Sequence, residues 1–100
     1  MGRPRRTKKD STQSEIISGA RELGMVVWDL SDLGGHVLDA VAFWNGIVIP
    51  IEIKAPGKLD DLTEKEAESI RMLSRVGVDV AVVDSVEKLV RMFENIAKWR

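Results

Sequence analysis

Asn45-Gly46 separates two runs of alternating apolar residues, 37–44 and 47–54, in the stretch "VLDAVAFWNGIVIPIEIK". A two-residue type I′ turn needs positive φ at both central positions, which asparagine and glycine tolerate best, so this dipeptide specifies a β-hairpin. Once the turn is placed, the register follows outward. Trp44 faces Ile47, Phe43 faces Val48, Ala42 faces Ile49, Val41 faces Pro50, Ala40 faces Ile51, and Asp39 faces Glu52. Side chains alternate between the two faces of a strand, which sends Ile47, Ile49, Ile51 and Ile53 to the core and Glu52 and Lys54 outward. The pairs alternate as well, and Val41–Pro50 and Asp39–Glu52 fall in the class without backbone hydrogen bonds. Pro50 therefore removes no bond from the hairpin.

The same register sets two carboxylates against each other. In a non-bonded pair the Cβ atoms approach to ~4.5–5.5 Å, where like charges repel unless something positive lies between them. A hard divalent cation meets that need, because Mg²⁺ takes one or two carboxylates and keeps several waters. Lys54 shares the face, two residues beyond Glu52, so a plain ion pair between Lys54 and either carboxylate on a solvated face is the competing reading.

The rest of the chain alternates helices with strands. In "DSTQSEIISGARELG" Thr12 reads as an N-cap, Ile16, Ile17, Ala20 and Leu23 as the apolar stripe, and Gly24 as the stop. Residues 25–30, "MVVWDL", form a strand. A second helix runs from Thr63 to about Val76 with Ala67, Ile70 and Leu73 inward, and Gly77 ends it. "DVAVV", residues 79–83, has the continuous apolar character of a buried strand delivered parallel to its neighbour by a helical crossover. Ser85 caps a last helix that presents Val86, Leu89, Val90, Phe93 and Ile96 on one face. The predicted order is α-β-β-β-α-β-α, an α/β fold with a mixed central sheet flanked by helices.

One hundred residues with 44% apolar content make a single small domain. No cysteine is present and there is one histidine, so neither disulfides nor thiolate or multi-histidine zinc chemistry holds the fold, and a metal must be bound by oxygen. No run approaches the ~20 apolar residues of a membrane span, and the basic N-terminus lacks the apolar core of a signal peptide, so a cytoplasmic protein is expected. The net charge of −1 conceals an asymmetry: Arg3, Arg5, Arg6, Lys8 and Lys9 put +5 on the first nine residues and leave −6 for the remainder. Residues 1–10 read as a flexible basic arm ahead of one domain at 11–100. Such an arm is either a solvated terminus or a contact for nucleic-acid phosphates. His36 reads as a loop residue with no assigned role. Trp28, Trp44 and Trp99 fit packing at element ends more readily than stacking on bases.

Asp39, a short hairpin and then Glu52-Ile53-Lys54, preceded by a helix with an acidic residue, resemble a PD-(D/E)xK nuclease of the restriction-endonuclease-like superfamily. The wider course is similar to the virus-type replication-repair nuclease (VRR-NUC) branch, particularly its small stand-alone phage members: "QSEIISGARELG", "DLSDLGG", "LDAVAFWNG", "IEIKAPGKLDDLT", a helix, then "GVDVAVVDSVE". The likeness covers about three quarters of the chain, from Gln13 to about Val86. Two positions depart from the pattern. Leu38 stands where a proline usually precedes the aspartate, and Glu66 stands where a glutamine is expected.

The resemblance implies a restriction-endonuclease-like core and hydrolysis of phosphodiesters. Asp39 and Glu52, with the backbone carbonyl of Ile53, would hold Mg²⁺ or Mn²⁺, and Lys54 would act on the growing negative charge or the attacking water. Glu15 matches the family's helix-borne glutamate on the metal's water shell, although Thr12-x-x-Glu15 also fits a capping box. Glu66 fits the same box through Thr63, and there capping is the preferred role. Lys58, Arg71 and Arg75 join the basic arm as candidate DNA contacts. The expected protein is a homodimeric, structure-selective DNA endonuclease resembling Holliday-junction resolvases, in the cytoplasm of a phage-infected or bacterial cell. A nicking or flap-type nuclease is the alternative within that chemistry, and a non-catalytic DNA-binding module is the alternative outside it.

Overall fold

The computed structural model describes residues 7–35 and 37–99, with the backbone alone for residues 7–10. Seven elements follow in the expected order: α1 (Thr7–Glu22), β1 (Val26–Asp29), β2 (Ala40–Trp44), β3 (Ile47–Ile53), α2 (Glu64–Arg75), β4 (Ala81–Val83) and α3 (Val86–Lys98). They form an α/β structure around one four-stranded sheet ordered β1-β2-β3-β4. β1, β2 and β3 are antiparallel, and β4 runs parallel to β3 after the α2 crossover.

The hairpin register is the one the turn dictates, from Trp44 opposite Ile47 to Ala40 opposite Ile51. Asn45 and Gly46 have φ of 52° and 77°, the left-handed pair that a type I′ turn requires. Pro50 faces Val41. Its missing N–H would point toward β4, but β4 begins only at Ala81, level with Ile51, so no partner is deprived on that side either.

Ile47, Ile49, Ile51 and Ile53 lie in the core with Ala40 and Ala42, against Ile16, Ile17 and Ala20 of α1 and Leu89 and Phe93 of α3. Each large side chain so buried contributes ~1.5–3 kcal/mol relative to exposure. Trp44 joins this side, its ring edge-on to Phe93 at 5.6 Å between centroids. Two small-residue strand positions, Ala40 and Ala42, let the helices approach the sheet closely.

α1 and α3 meet at Gly19, where an added Cβ would lie 2.7 Å from Cγ2 of Val86. Val86 is β-branched and stiff at χ1 in a helix, so it cannot swing aside cheaply. Overpacking of ~1–3 kcal/mol outweighs the ~1 kcal/mol gained in helix propensity. Gly19→Ala is therefore expected to lower the thermal midpoint by about 5 °C for a net loss of ~1 kcal/mol. A rise in midpoint would show that Val86 yields freely.

Several boundaries differ from the sequence reading. α1 begins at Thr7, so Thr12 lies inside the helix and is not its N-cap. The polar turn around Lys8 to Asp10 carries no apolar period to announce it, yet it continues the helical backbone. Leu23 is 51% exposed instead of core, because the helix ends at Glu22 and Gly24, at φ 102°, turns the chain away. β1 is shorter than residues 25–30, β2 starts at Ala40 and not at 37, and β4 starts at Ala81 and not at 79. The caps of the last two helices are as expected, with Thr63 and Ser85 accepting from the backbone of Glu66 and Lys88.

Candidate functional site

The site forms where the hairpin ladder ends. Beyond Ala40–Ile51, the next β3 donor facing β2 is the N–H of Ile53, because facing and non-facing residues alternate along an antiparallel strand. That N–H donates to Oδ2 of Asp39 at 2.8 Å. The aspartate side chain thus stands in for the carbonyl that a continued strand would supply, while its own carbonyl accepts from Leu30 N–H at 2.8 Å and extends the ladder with β1. Asp39 is anchored on both sides. Since N–H and C=O of one strand residue point the same way, the carbonyl of Ile53 also faces the Asp39 side.

Glu52 departs from the sequence reading. It is expected to look outward from the strand, and it is 2% exposed, enclosed on that face. The cause is α2, whose first turn lies against this face and brings Glu66 to Lys54: Nζ of Lys54 donates to Oε1 of Glu66 at 2.7 Å and stands 3.5 Å from Oε2 of Glu52. Glu66 also closes the predicted capping box. Its Oε1 accepts from the N–H of Thr63 at 2.9 Å while Thr63 Oγ1 accepts from the N–H of Glu66 at 3.1 Å. Capping and site are one arrangement, because the same carboxylate oxygen serves the helix end and the lysine.

The charges are settled by protonation and pairing. Burial, then a hydrogen bond to Glu66 and the charges of Asp39 and Glu66, push the Glu52 carboxyl from its ordinary 4.5 up to about 8. Burial also works to raise Glu66, but its hydrogen bonds to Lys54 and to the Thr63 backbone prevail and hold it near 2. Burial works to lower Lys54, and the hydrogen bond and charge of Glu66 overcome it and raise the ammonium above its ordinary range. Near neutral pH the pocket therefore holds a protonated Glu52, a Glu66 carboxylate and a Lys54 ammonium. The repulsion inferred across the hairpin is relieved in this way, and Asp39 reaches for the Ile53 backbone in place of standing square against Glu52.

Other predicted residues are placed as follows. Glu15 is exposed on α1. Among the described residues no three acidic or histidine side chains are gathered to hold an ion. Lys58 is exposed in the turn after β3, and Arg71 and Arg75 are exposed on α2. Arg3, Arg5, Arg6 and His36 lie outside the described residues, as do the side chains of Lys8 and Lys9. A surface cleft of about 500 Å³ lined by Gly77, Asp79, Met92, Asn95, Ile96 and Trp99 contains none of them. No helix among the described residues is long and apolar enough to cross a membrane.

Two carboxylates and a strand carbonyl are the oxygen donors that Mg²⁺ and Mn²⁺ prefer, with Asp39 and the Ile53 carbonyl already on one side of β3. The donor set fits a hard divalent cation, provided that Glu52 gives up its proton to it. No protein-family model matches the chain, and no curated protein and no solved structure matches it.

Proposed function

We propose that the protein is a metal-dependent DNA endonuclease with a restriction-endonuclease-like core, and that it hydrolyses phosphodiesters at Asp39, Glu52 and Lys54. The observation that supports this reading most is the convergence of the two carboxylates and the lysine at the end of the β2–β3 ladder. Asp39 is hydrogen-bonded to the backbone of Ile53, and Lys54 sits beside a buried Glu52.

Asp39, Glu52 and the carbonyl of Ile53 would hold Mg²⁺ or Mn²⁺. When bound, such an ion supplies Lewis acidity toward a phosphoryl oxygen and an activated water near neutral pH. The chain's own contribution is orientation and charge. The Ile53 N–H fixes the Asp39 carboxylate, burial keeps Glu52 out of solvent, and Glu66 holds the Lys54 ammonium at the rim, where negative charge grows on phosphorus. Glu15 would belong to the outer part of this site. The basic arm with Lys58, Arg71 and Arg75 would meet the DNA backbone, with affinity falling as salt rises. Cutting two strands of a branched junction calls for two such sites, so a homodimer acting on branched DNA is the assembly proposed.

A second reading rests on one specific observation. Lys54 is already matched by Glu66 and Glu52, so the cluster also suits a structural ion network in a DNA-binding module without catalysis. Labelled four-way, flap and linear DNA incubated with the protein in Mg²⁺, and in chelator, separate the two. Cleavage of branched DNA that chelator abolishes is the expected result; binding without cleavage of any substrate would overturn the nuclease reading.

A further inference from the structure

The sheet face that carries Asp39 and Glu52 continues beyond them as an uncovered apolar surface. Residues directly opposite one another share a face, so the rows can be read across the strands. Leu30, Asp39 and Glu52 make one row, since Leu30 N–H bonds the Asp39 carbonyl. Trp28, Val41 and Pro50 make the next, and Val26, Phe43 and Val48 the one after. The core helices pack on the opposite face, against Ala40, Ala42 and the isoleucines. Trp28 is left 58% exposed, with Val26 and Val48 more than half exposed beside it. The Trp28 ring is nevertheless fixed, edge-on to Phe43 at 4.7 Å and 63°.

Building on the nuclease reading, we propose that Trp28 is a stacking platform for an unpaired nucleobase adjoining the phosphodiester held at Asp39, Glu52 and Lys54. Three features favour this occupant. Trp28 is the diagonal neighbour of Asp39 across β1 and β2, a separation of ~7–8 Å, which is of the order of the reach from a phosphate to the base beside it. The two rows hold no cation, so they suit a base and not a phosphate backbone, whereas Lys54 lies on the same face one row beyond Glu52. Their size also argues against a second copy. Three strands at ~4.8 Å and two rows at ~6.8 Å make roughly 200 Å², far below the ~800 Å² per partner of a stable interface. An aromatic platform is indifferent to which base it receives, so selection would fall on DNA whose base beside the cut is free to leave the helix.

Binding to fluorescent single-stranded and flap oligonucleotides tests this, each made with a base or with an abasic unit at the nucleotide beside the cut. Wild-type protein, Trp28→Ala and Trp28→Phe are compared, with sedimentation of each protein alone. Trp28→Ala is expected to weaken binding of the base-containing strand by about fivefold to 150-fold, to leave the abasic strand unchanged, and to be largely rescued by Trp28→Phe. Equal losses on both strands, or no loss on either, would overturn the platform while leaving Mg²⁺-dependent cleavage as evidence for the nuclease. A wild-type dimer that Trp28→Ala dissociates would assign the face to a second copy and overturn it as well. Wild-type protein that binds and cuts no DNA would remove both proposals together.

Discussion

Glu52→Gln is expected to abolish cleavage and to flatten the pH dependence of stability in the metal-free protein. In the folded state Glu52 titrates at about 8, against an ordinary 4.5, so between those values the native protein keeps a proton that the unfolded chain releases. Its contribution is complete below pH 4.5 and is lost as pH rises through about 8. Glu66 works in the opposite sense: held near 2, it contributes above pH 4.5 and loses that contribution only as pH falls through about 2. Stability in chelator should accordingly peak near pH 5 and decline toward pH 8. Glutamine carries no proton to lose, so thermal midpoints of Glu52→Gln should stay level over that interval. A decline as steep as in the wild type would show that Glu52 is not its source. A divalent cation competes with the same proton, so Mn²⁺ should raise the wild-type midpoint more at pH 8 than at pH 5. The loss of activity should exceed the ~10–100-fold that follows removal of an outer-shell partner of a metal.

Lys54→Ala should reduce cleavage by ~10²–10³-fold, the range for a charged or hydrogen-bonding group aimed at developing negative charge. Its effect on stability should depend on pH. At pH 5 Glu52 remains protonated and can share its proton with Glu66, so little is lost. Without the ammonium Glu52 holds its proton to higher pH, so the variant's stability goes on falling through pH 8, where the wild type begins to level, and the loss should grow with pH. Lys54→Met retains most of the side-chain volume. Matching behaviour of the two variants would assign the effect to charge, and wild-type cleavage by both would remove Lys54 from the reaction.

Much of the hairpin was legible from a few neighbouring residues. The Asn45-Gly46 turn, the facing pairs out to Ala40–Ile51 and the inward isoleucines all follow from turn stereochemistry and the two-residue alternation of a strand. Thr63-x-x-Glu66 was legible for the same reason, since a capping box closes within one helical turn. Thr12 misled because the same local signal occurs inside α1, where residues from Thr7 onward already continue the helix and leave no free end to cap. Leu23 misled because helical periodicity was carried past Glu22, the last residue that has a helix to belong to.

Less legible was what surrounds the site. Sequence alone placed Asp39, Glu52 and Lys54 on one strand face, because alternation and turn geometry act over nearest neighbours. That Glu52 is dry and protonated, that Glu66 serves both the helix cap and Lys54, and that Trp28 remains uncovered were decided by where α2 lands on the sheet. Lys54 and Glu66 are 12 residues apart in the chain and 2.7 Å apart in space. Desolvation and Coulomb energy depend on which groups exclude water from a carboxylate, and that is a property of packed elements and not of the residues beside it in the chain.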